Sequence, residues 1–327
     1  MNRMPQVCVD IEPDLIAAAT GEAEPVTVNQ VENHIRRCAS CGNEYTRYRA
    51  IDQVVGTCRE APNATAAVEG ARKQLLSRLS DLKHRTLTYR VFPSPLGNIL
   101  IALSDQGVSL VEYLGRGKNL AQSRLARIED LEAIEDGAEI EGLYRELMEY
   151  LEGKRTQLTW PVDLRLVRSD FHRSVLQATS GIPYGAVMSY AGVACEVGKP
   201  TATRAVAQAL RWNPLPIVIP CHRVIGSSGT LTGYAGNKTG LKERLLTVEG
   251  LPTVKAHDKA HHDSKIPHDA LYVRYPGDDS YCLPTCPSLT TLEHPNRTML
   301  FGSRERAEGA GLQPCSTCRP DLHPIER

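Results

Sequence analysis

Large aromatic residues are scarce in this chain: three Phe and two Trp among 327 residues. Its cores must therefore be filled mostly by aliphatic side chains. Charge of one sign is missing too. The 38 Lys and Arg balance 38 Asp and Glu, and the formal net charge is zero. That excludes a global basic field and leaves any contact with a polyanion to a local patch. No apolar run is long enough to span a bilayer. The first twenty residues, MNRMPQVCVDIEPDLIAAAT, lack the apolar stretch of a signal peptide and are acidic by Asp10. These absences lead to the expectation of a cytoplasmic protein, and the length to two or three domains.

Cysteine, by contrast, is plentiful and clustered. Of ten cysteines, Cys282, Cys286, Cys315 and Cys318 form C-x3-C-x28-C-x2-C. Cys8, Cys38 and Cys41 lie near His34, and Cys58, Cys195 and Cys221 remain. Disulfides are rare in a reducing compartment, so these spacings read as two structural zinc sites. His34, Cys38 and Cys41 stand at i, i+4, i+7, which puts them on one face of a helix, and Cys8 completes a tetrahedral set.

The pattern along the chain predicts a multidomain α+β protein. Residues 1–60 form a small helical zinc module. In 61–85 apolar positions recur at helical spacing (Val68, Ala71, Leu75, Leu79, Leu82), predicting a connecting helix whose stripe packs on its own protein rather than on a partner. TYRVF, GNILIALS and VSLVEYL read as a strand meander opening an α/β lobe over 86–160. Helical patterns dominate 161–252. A polar stretch with four histidines, 253–270, reads as a solvated linker, and 271–327 forms a small α+β four-cysteine zinc module.

Within PIVIPCHRVIG, Cys221 has three open readings: metal ligand, buried structural thiol, or nucleophile. Cys221 and His222 are neighbours, and neighbouring side chains diverge, which disfavours chelation of one ion. Pro214, Pro216 and Pro220 stiffen the approach, and Gly226 and Gly229 make a turn beyond. A cysteine held firmly beside an imidazole suits thiolate chemistry.

The stretch NPLPIVIPCHRVIGSSGTLTGYAG resembles the active-site segment of the O6-alkylguanine-DNA alkyltransferases (methylated-DNA–protein-cysteine methyltransferases), and the likeness extends over residues 87–251. The resemblance implies DNA repair in a single turnover. Cys221 takes the alkyl group from guanine O6 in duplex DNA. His222 acts as base through a water, Glu249 orients it, and Asn213 braces the turn. Tyr190 helps rotate the nucleotide and protonates the leaving guanine. The stretch SYAGVACEVGKPTATRAVAQALRW supplies a helix-turn-helix. Ala202, Ala205, Val206, Ala209 and Leu210 form the apolar face of its second helix. Arg204, Gln208 and Arg211 lie on another, either as a solvated face or, by resemblance, as DNA contacts, with Arg204 filling the space left in the stack. Between Tyr234 and Glu249 the chain is one residue longer than the family spacing.

The flanks resemble other families. With Cys8, the H-x3-C-x2-C pattern resembles the zinc-binding anti-sigma-factor domain, which implies a sigma factor as partner and a rival function as a damage- or redox-responsive regulator. The C-terminal segment resembles the metal-binding domain of the adaptive-response (Ada) protein, in which the position of Cys282 accepts a methyl from DNA phosphotriesters. Leu283 and Gln313 replace two arginines of that family. A purely structural zinc module and a working acceptor, with Tyr281 and Arg274 lining a phosphate approach, both remain open.

Overall fold

A computed structural model describes the chain except residues 1–7, 9, 61–63, 116–122, 129–130, 168, 235–237, 256–263, 290–296 and 326–327, with no side-chain description for 58–60 and 64–67. It divides into two units, Met1–Asp81 and Leu82–Arg327. Among the described residues no helix is long and apolar enough to cross a membrane.

The first unit is built on α1 (Glu12–Ala19), α2 (Pro25–Ile35) and α3 (Ala39–Glu60). Pro25 stands in the first turn of α2, where a missing N–H costs nothing. Leu15 and Val31 pack with Cys8 and Cys41 in a small buried cluster. A core of this size needs a metal to supplement it. One expectation is corrected here. His34, Cys38 and Cys41 do not share one helix. α2 stops at Ile35, the Cys38 N–H donates to the His34 carbonyl at 3.0 Å in the closing turn, and α3 starts at Ala39. The turn between two helices, rather than one helical face, brings the three side chains together.

A second correction concerns α4 (Ala64–Arg85). Among its described residues the apolar stripe stays open to solvent: Val68, Leu75, Leu79 and Leu82 are 56, 58, 44 and 54% exposed. Strong helix formers (Ala, Leu, Lys, Arg, Gln) sustain the helix by local propensity.

The second unit opens with β1 (Thr86–Phe92), β2 (Ile99–Ser104), β3 (Gly107–Tyr113) and β4 (Glu132–Glu135), in the order β3-β2-β1-β4. β1 pairs antiparallel with β2 and parallel with β4. The unbroken apolar run of β2 fits its burial on both faces. Ile99 and Ile101 face the main core with Leu147 and Tyr150 of α5 (Ile140–Leu151), while Leu100 and Ala102 face a second cluster with Leu87 and Leu110. α6 (Asp170–Ser180) leads to β5 (Ala186–Ser189), then α7 (Tyr190–Glu196) and α8 (Thr203–Arg211). Ser189 caps α7 by accepting from the Gly192 N–H at 2.9 Å, and Gly198, at φ +70°, turns the chain toward α8. β6 (Val224–Ile225) runs parallel to β5, and α9 (Thr239–Val248) ends at Glu249.

The described ends of the segment expected to be a solvated linker, 253–255 and 264–270, are paired and packed. β7 (Val254–Lys255) and β8 (Ser264–Lys265) pair, and the Ile266 N–H donates to the Gly229 carbonyl at 2.9 Å. Ile266 is buried with Leu231, Leu246 and Leu251. Alternation of polar and apolar residues is too short there to signal a strand. Three of the four histidines, His257, His261 and His262, lie outside the described residues.

The C-terminal segment adds β9 (Tyr272–Arg274), β10 (Ser280–Tyr281), β11 (Met299–Phe301), α10 (Arg304–Gly309) and β12 (Gln313–Pro314). β10 and β12 form a ribbon that brings the two cysteine pairs together. β9 and β11 do not make a sheet of their own. They extend the β5–β6 pair, in the order β6-β5-β11-β9, with Met299, Leu300 and Phe301 paired to Met188, Val187 and Ala186.

Candidate active site and metal centres

Cys221 lies on a turn of 3-10 helix, Cys221–Arg223, reached through a stiff and strained loop. Ile217 takes φ +76°, a conformation that a β-branched residue resists. Asn213 offsets that strain by tying the loop together. Its Oδ1 accepts from the Leu215 N–H at 2.9 Å, and its Nδ2 donates to the Ile219 carbonyl at 2.9 Å and to Cys221 Sγ at 3.1 Å. Burial pushes the Cys221 thiol up, while the Asn213 amide and the Lys242 ammonium act to lower it. A thiol in this setting needs a base.

His222 is wholly buried and Glu249 sits against it, with 2.6 Å between Nε2 and Oε1. Glu249 also accepts from Tyr150 Oη at 2.5 Å, from Arg223 Nε at 3.0 Å and from the Gly185 N–H at 3.0 Å. Burial alone would raise the carboxyl, but His222 and Arg223 outweigh it and hold Glu249 down to about 2. Burial lowers His222 from its ordinary value, against the pull of Glu249. The pair is therefore a carboxylate and a neutral imidazole. Nε2–H donates to the carboxylate, which fixes the tautomer and leaves Nδ1 as the basic nitrogen. Nδ1 is buried and has no hydrogen-bond partner among the described residues.

Lys242 is fully buried, donating to the carbonyls of Val224 and Thr232, with its ammonium 5.5 Å from the centre of the Tyr190 ring. Burial depresses it to about 8. Tyr190 Oη donates to the carbonyls of Thr232 and Gly233 at 3.1 and 3.2 Å, and burial pushes its phenol up to about 12. A cavity of about 200 Å³ opens beside Cys221, walled by Val111 and Tyr113 of β3 and by Arg124, Trp212, Asn213 and Pro216. Arg124 lies 5.7 Å from the Trp212 ring and donates to the Asn213 carbonyl at 3.2 Å.

On α8, Val206, Ala209 and Leu210 are buried, and Arg204, Gln208 and Arg211 are exposed along one side. Ala205, expected on the apolar face, is exposed; the helix rolls so that Val206 and Leu210 centre the contact. Arg211 lines the cavity beside Cys221. The sequence reading thus has Cys221, His222, Glu249 and Asn213 in one place. It missed Arg223, Tyr150 and Lys242, which hold the charges of that place. Arg223 lay inside the quoted motif, but Tyr150 and Lys242 sit in ordinary amphipathic helices and carried no local signal. Residues 235–237, over the expected guanine pocket, lie outside the described residues, and the extra length between Tyr234 and Glu249 does not keep Glu249 from His222.

Both cysteine sets converge. In each, the four candidate ligand atoms lie within 4.8 Å of one another. Cys8 Sγ stands 3.9 Å from Cys38 Sγ and 4.0 Å from His34 Nε2. A tetrahedral zinc with Zn–S of about 2.3 Å sets sulfurs about 3.8 Å apart. The first set therefore fits zinc, and Cys38, next to the start of α3, is placed where the helix dipole favours a thiolate. In the second set Cys282, Cys286 and Cys315 are buried together, and the Leu283 N–H donates to Cys318 Sγ at 3.3 Å. Soft thiolates suit zinc at both sites, and bound zinc would supply cross-links there. The two residues expected to line a phosphate approach make bonds within the module. Tyr281 is wholly buried with its hydroxyl on Glu308 at 2.9 Å, Arg274 donates to the Asp278 carbonyl, and Cys282 is only 7% exposed.

Comparison with known proteins agrees with this geometry. Residues 87–164 match the family described as 6-O-methylguanine DNA methyltransferase, ribonuclease-like domain, and residues 170–251 its DNA binding domain. Residues 270–321 match the metal binding domain of Ada. The methylated-DNA–protein-cysteine methyltransferase of Methanosarcina barkeri is 39% identical over 163 residues, 49% of this chain and 96% of that protein. The constitutive enzyme of that name from Bacillus subtilis is 37% identical over 161 residues, 49% of this chain and 94% of that protein. A crystal structure of Mycobacterium tuberculosis OGT in complex with DNA is 35% identical, covers 50% of this chain and 92% of that one, and superposes with a TM-score of 0.43. Two relatives, 39% and 37% identical and each covered almost end to end by this chain, show that the chain belongs to the methylated-DNA–protein-cysteine methyltransferase family.

Proposed function

We propose that this protein repairs O6-alkylguanine in duplex DNA by moving the alkyl group onto Cys221, once per molecule. The observation that carries the reading is the buried Cys221 thiol at the edge of a cavity, beside an imidazole whose free nitrogen is the basic one. His222 Nδ1 takes the thiol proton through a water. The thiolate sulfur attacks the alkyl carbon, the S–C bond forms and the C–O6 bond breaks in line. The electron pair passes into the guanine ring, and Tyr190 exchanges its bond to the Thr232 and Gly233 carbonyls for one to the leaving base, which it protonates. Glu249 and Arg223 keep the imidazole oriented and its environment neutral. Asn213 braces the nucleophile. The thioether does not hydrolyse, which makes the reaction stoichiometric.

DNA is the partner on which this reading depends. The exposed side of α8, with Arg204, Gln208 and Arg211, supports entry into the minor groove, and Arg204 fills the stack after the base leaves it. Sulfur-rich zinc modules precede and follow this segment in the sequence. A sigma factor remains the proposed partner of the first unit, and co-purification of residues 1–81 with sigma factors tests it.

The central test is mass analysis after exposure to DNA carrying O6-methylguanine. One methyl should appear, mapping to Cys221, and Cys221→Ala should bind the DNA and gain none. Restored guanine without a methyl on Cys221 refutes the assignment.

A further inference from the structure

We propose that the four-cysteine module is a positioning element for alkyl transfer: its β11–α10 corner, through Gly302 and Arg306, holds the backbone that fixes Glu249 against His222. This inference rests on the assignment of Cys221 and His222 above and adds residues from outside the matched alkyltransferase segment.

Glu249 is oriented from its far side by one backbone donor, the Gly185 N–H at 3.0 Å. The peptide turn that carries Gly185 is held by the four-cysteine module. The Gly302 N–H donates to the Gly185 carbonyl at 2.8 Å, closing the β5–β11 ladder at its end. Gly185 takes φ +73°, and the Arg306 side chain fills the space where a Cβ would stand, 2.8 Å from its Cγ. The Arg306 guanidinium lies 4.4 Å from the centre of the Tyr184 ring, and the Arg223 guanidinium 5.7 Å from the same ring. Tyr184 is thus held between a module arginine and the arginine paired with Glu249. Its hydroxyl donates to the Val248 carbonyl at 2.9 Å, next to Glu249.

Gly302 is packed equally closely on the other side. A Cβ there would stand 3.1 Å from the Gly250 carbonyl oxygen and from Leu251 Cδ2. The corner therefore touches both backbone segments, 184–185 and 248–251, between which the carboxylate is set. Its own geometry depends on Ser303, which accepts from the Arg306 N–H at 3.3 Å and starts α10. The helix in turn reaches the metal ribbon, where Glu308 holds the Tyr281 hydroxyl next to Cys282.

The expected effect is on chemistry per molecule, because small misplacements of an orienting group slow a reaction by about tenfold to a hundredfold. The experiment measures the rate constant of Cys221 labelling by free O6-benzylguanine, in excess, for full-length wild type, Arg306→Ala, Gly302→Val and the surface control Arg319→Ala. The free base removes any contribution from DNA binding. Molecules that fail to fold lower the labelled fraction at the end point and leave the rate constant alone. Arg306→Ala and Gly302→Val should label about tenfold more slowly, and Arg319→Ala, whose side chain pairs with Asp321, should match wild type.

The pH profile separates orientation from general loosening. Glu249 pulls His222 up, whereas burial, Arg223 and Lys242 push it down. A displaced Glu249 should therefore move the acid limb of the profile to lower pH in both variants. Unchanged rate constants with an unchanged acid limb overturn the inference while Cys221 is still labelled. Wild-type protein that leaves Cys221 unlabelled overturns the proposed function, and this inference with it.

Discussion

Replacing Glu249 by Gln tests the buried charge network most directly. The change keeps the size of the side chain and removes one negative charge from a site with no solvent exposure. Two routes give the magnitude. The carboxyl is depressed from its ordinary 4.5 to about 2 in the folded chain. At about 1.4 kcal/mol for each tenfold change in acidity, that is about 3 kcal/mol of stability. Because the folded state holds the proton less tightly than the unfolded one, this stability is fully present above about 4.5 and fades as pH falls from there through about 2. Independently, Gln leaves the Arg223 guanidinium buried without its counter-charge, which costs about 3–5 kcal/mol. Urea denaturation at pH 7 followed by tryptophan fluorescence reads the loss, since Trp160 and Trp212 both lie in this unit. Arg223→Met made together with Glu249→Gln should recover more than half of it, because the guanidinium that lost its counter-charge is then gone. A loss below about 1 kcal/mol, or a double variant less stable than the single one, would refute the reasoning. The same single variant should slow labelling of Cys221 by about 10²–10⁴, the usual range for impaired general-base action.

Burial keeps His222 unprotonated below its ordinary 6.5, so labelling by a free alkylated base should hold its rate down through pH 6.5 and fall only beneath it; a midpoint at or above 6.5 contradicts the neutral imidazole. Arg204→Ala should slow repair of duplex far more than reaction with the free base, since extrusion costs a few kcal/mol only in the duplex, and equal slowing on both removes the role. Elemental analysis should find two zinc ions per chain and one in Cys8→Ala, with a single ion in wild type counting against one of the sites. On DNA carrying only phosphotriesters, Cys221→Ala should transfer methyl to the buried Cys282 slowly or not at all and gain when Leu283→Arg and Gln313→Arg are added; rapid labelling without them shows those arginines dispensable.

What could be read from the sequence followed the range of each interaction. Strands β1 to β3, α5 and the helix pair α7–α8 carry their periodicity and turn residues locally, and the structure places them where the pattern does. Cys221, His222 and Asn213 sit within a short stretch of chain, so one motif held most of the centre. Glu249 was reached only through family spacing, while Tyr150 and Lys242 act across long sequence separations with nothing local to mark them. The exposed stripe of α4 shows the converse: helical periodicity predicts an apolar face but not what covers it. The sheet shared by β5 and β11 was invisible for a related reason. A three-residue strand such as Met299–Phe301 carries too little alternation to announce a partner more than a hundred residues away.

That seam bears on how such a chain tolerates change. β11 is lined on both faces: Met299 and Phe301 enter the main core, and Leu300 enters the cluster of Val187 and Ile266. Main-chain pairing is indifferent to side-chain identity, so apolar residues along it can drift without parting the strands. Length is another matter. One residue inserted between Met299 and Arg306 would exchange the two faces of the strand or carry the corner past Gly185. Duplication or grafting of the four-cysteine segment therefore preserves its mate only when the strand register travels with it, and deletions of single residues there should be rarer among close kin than substitutions.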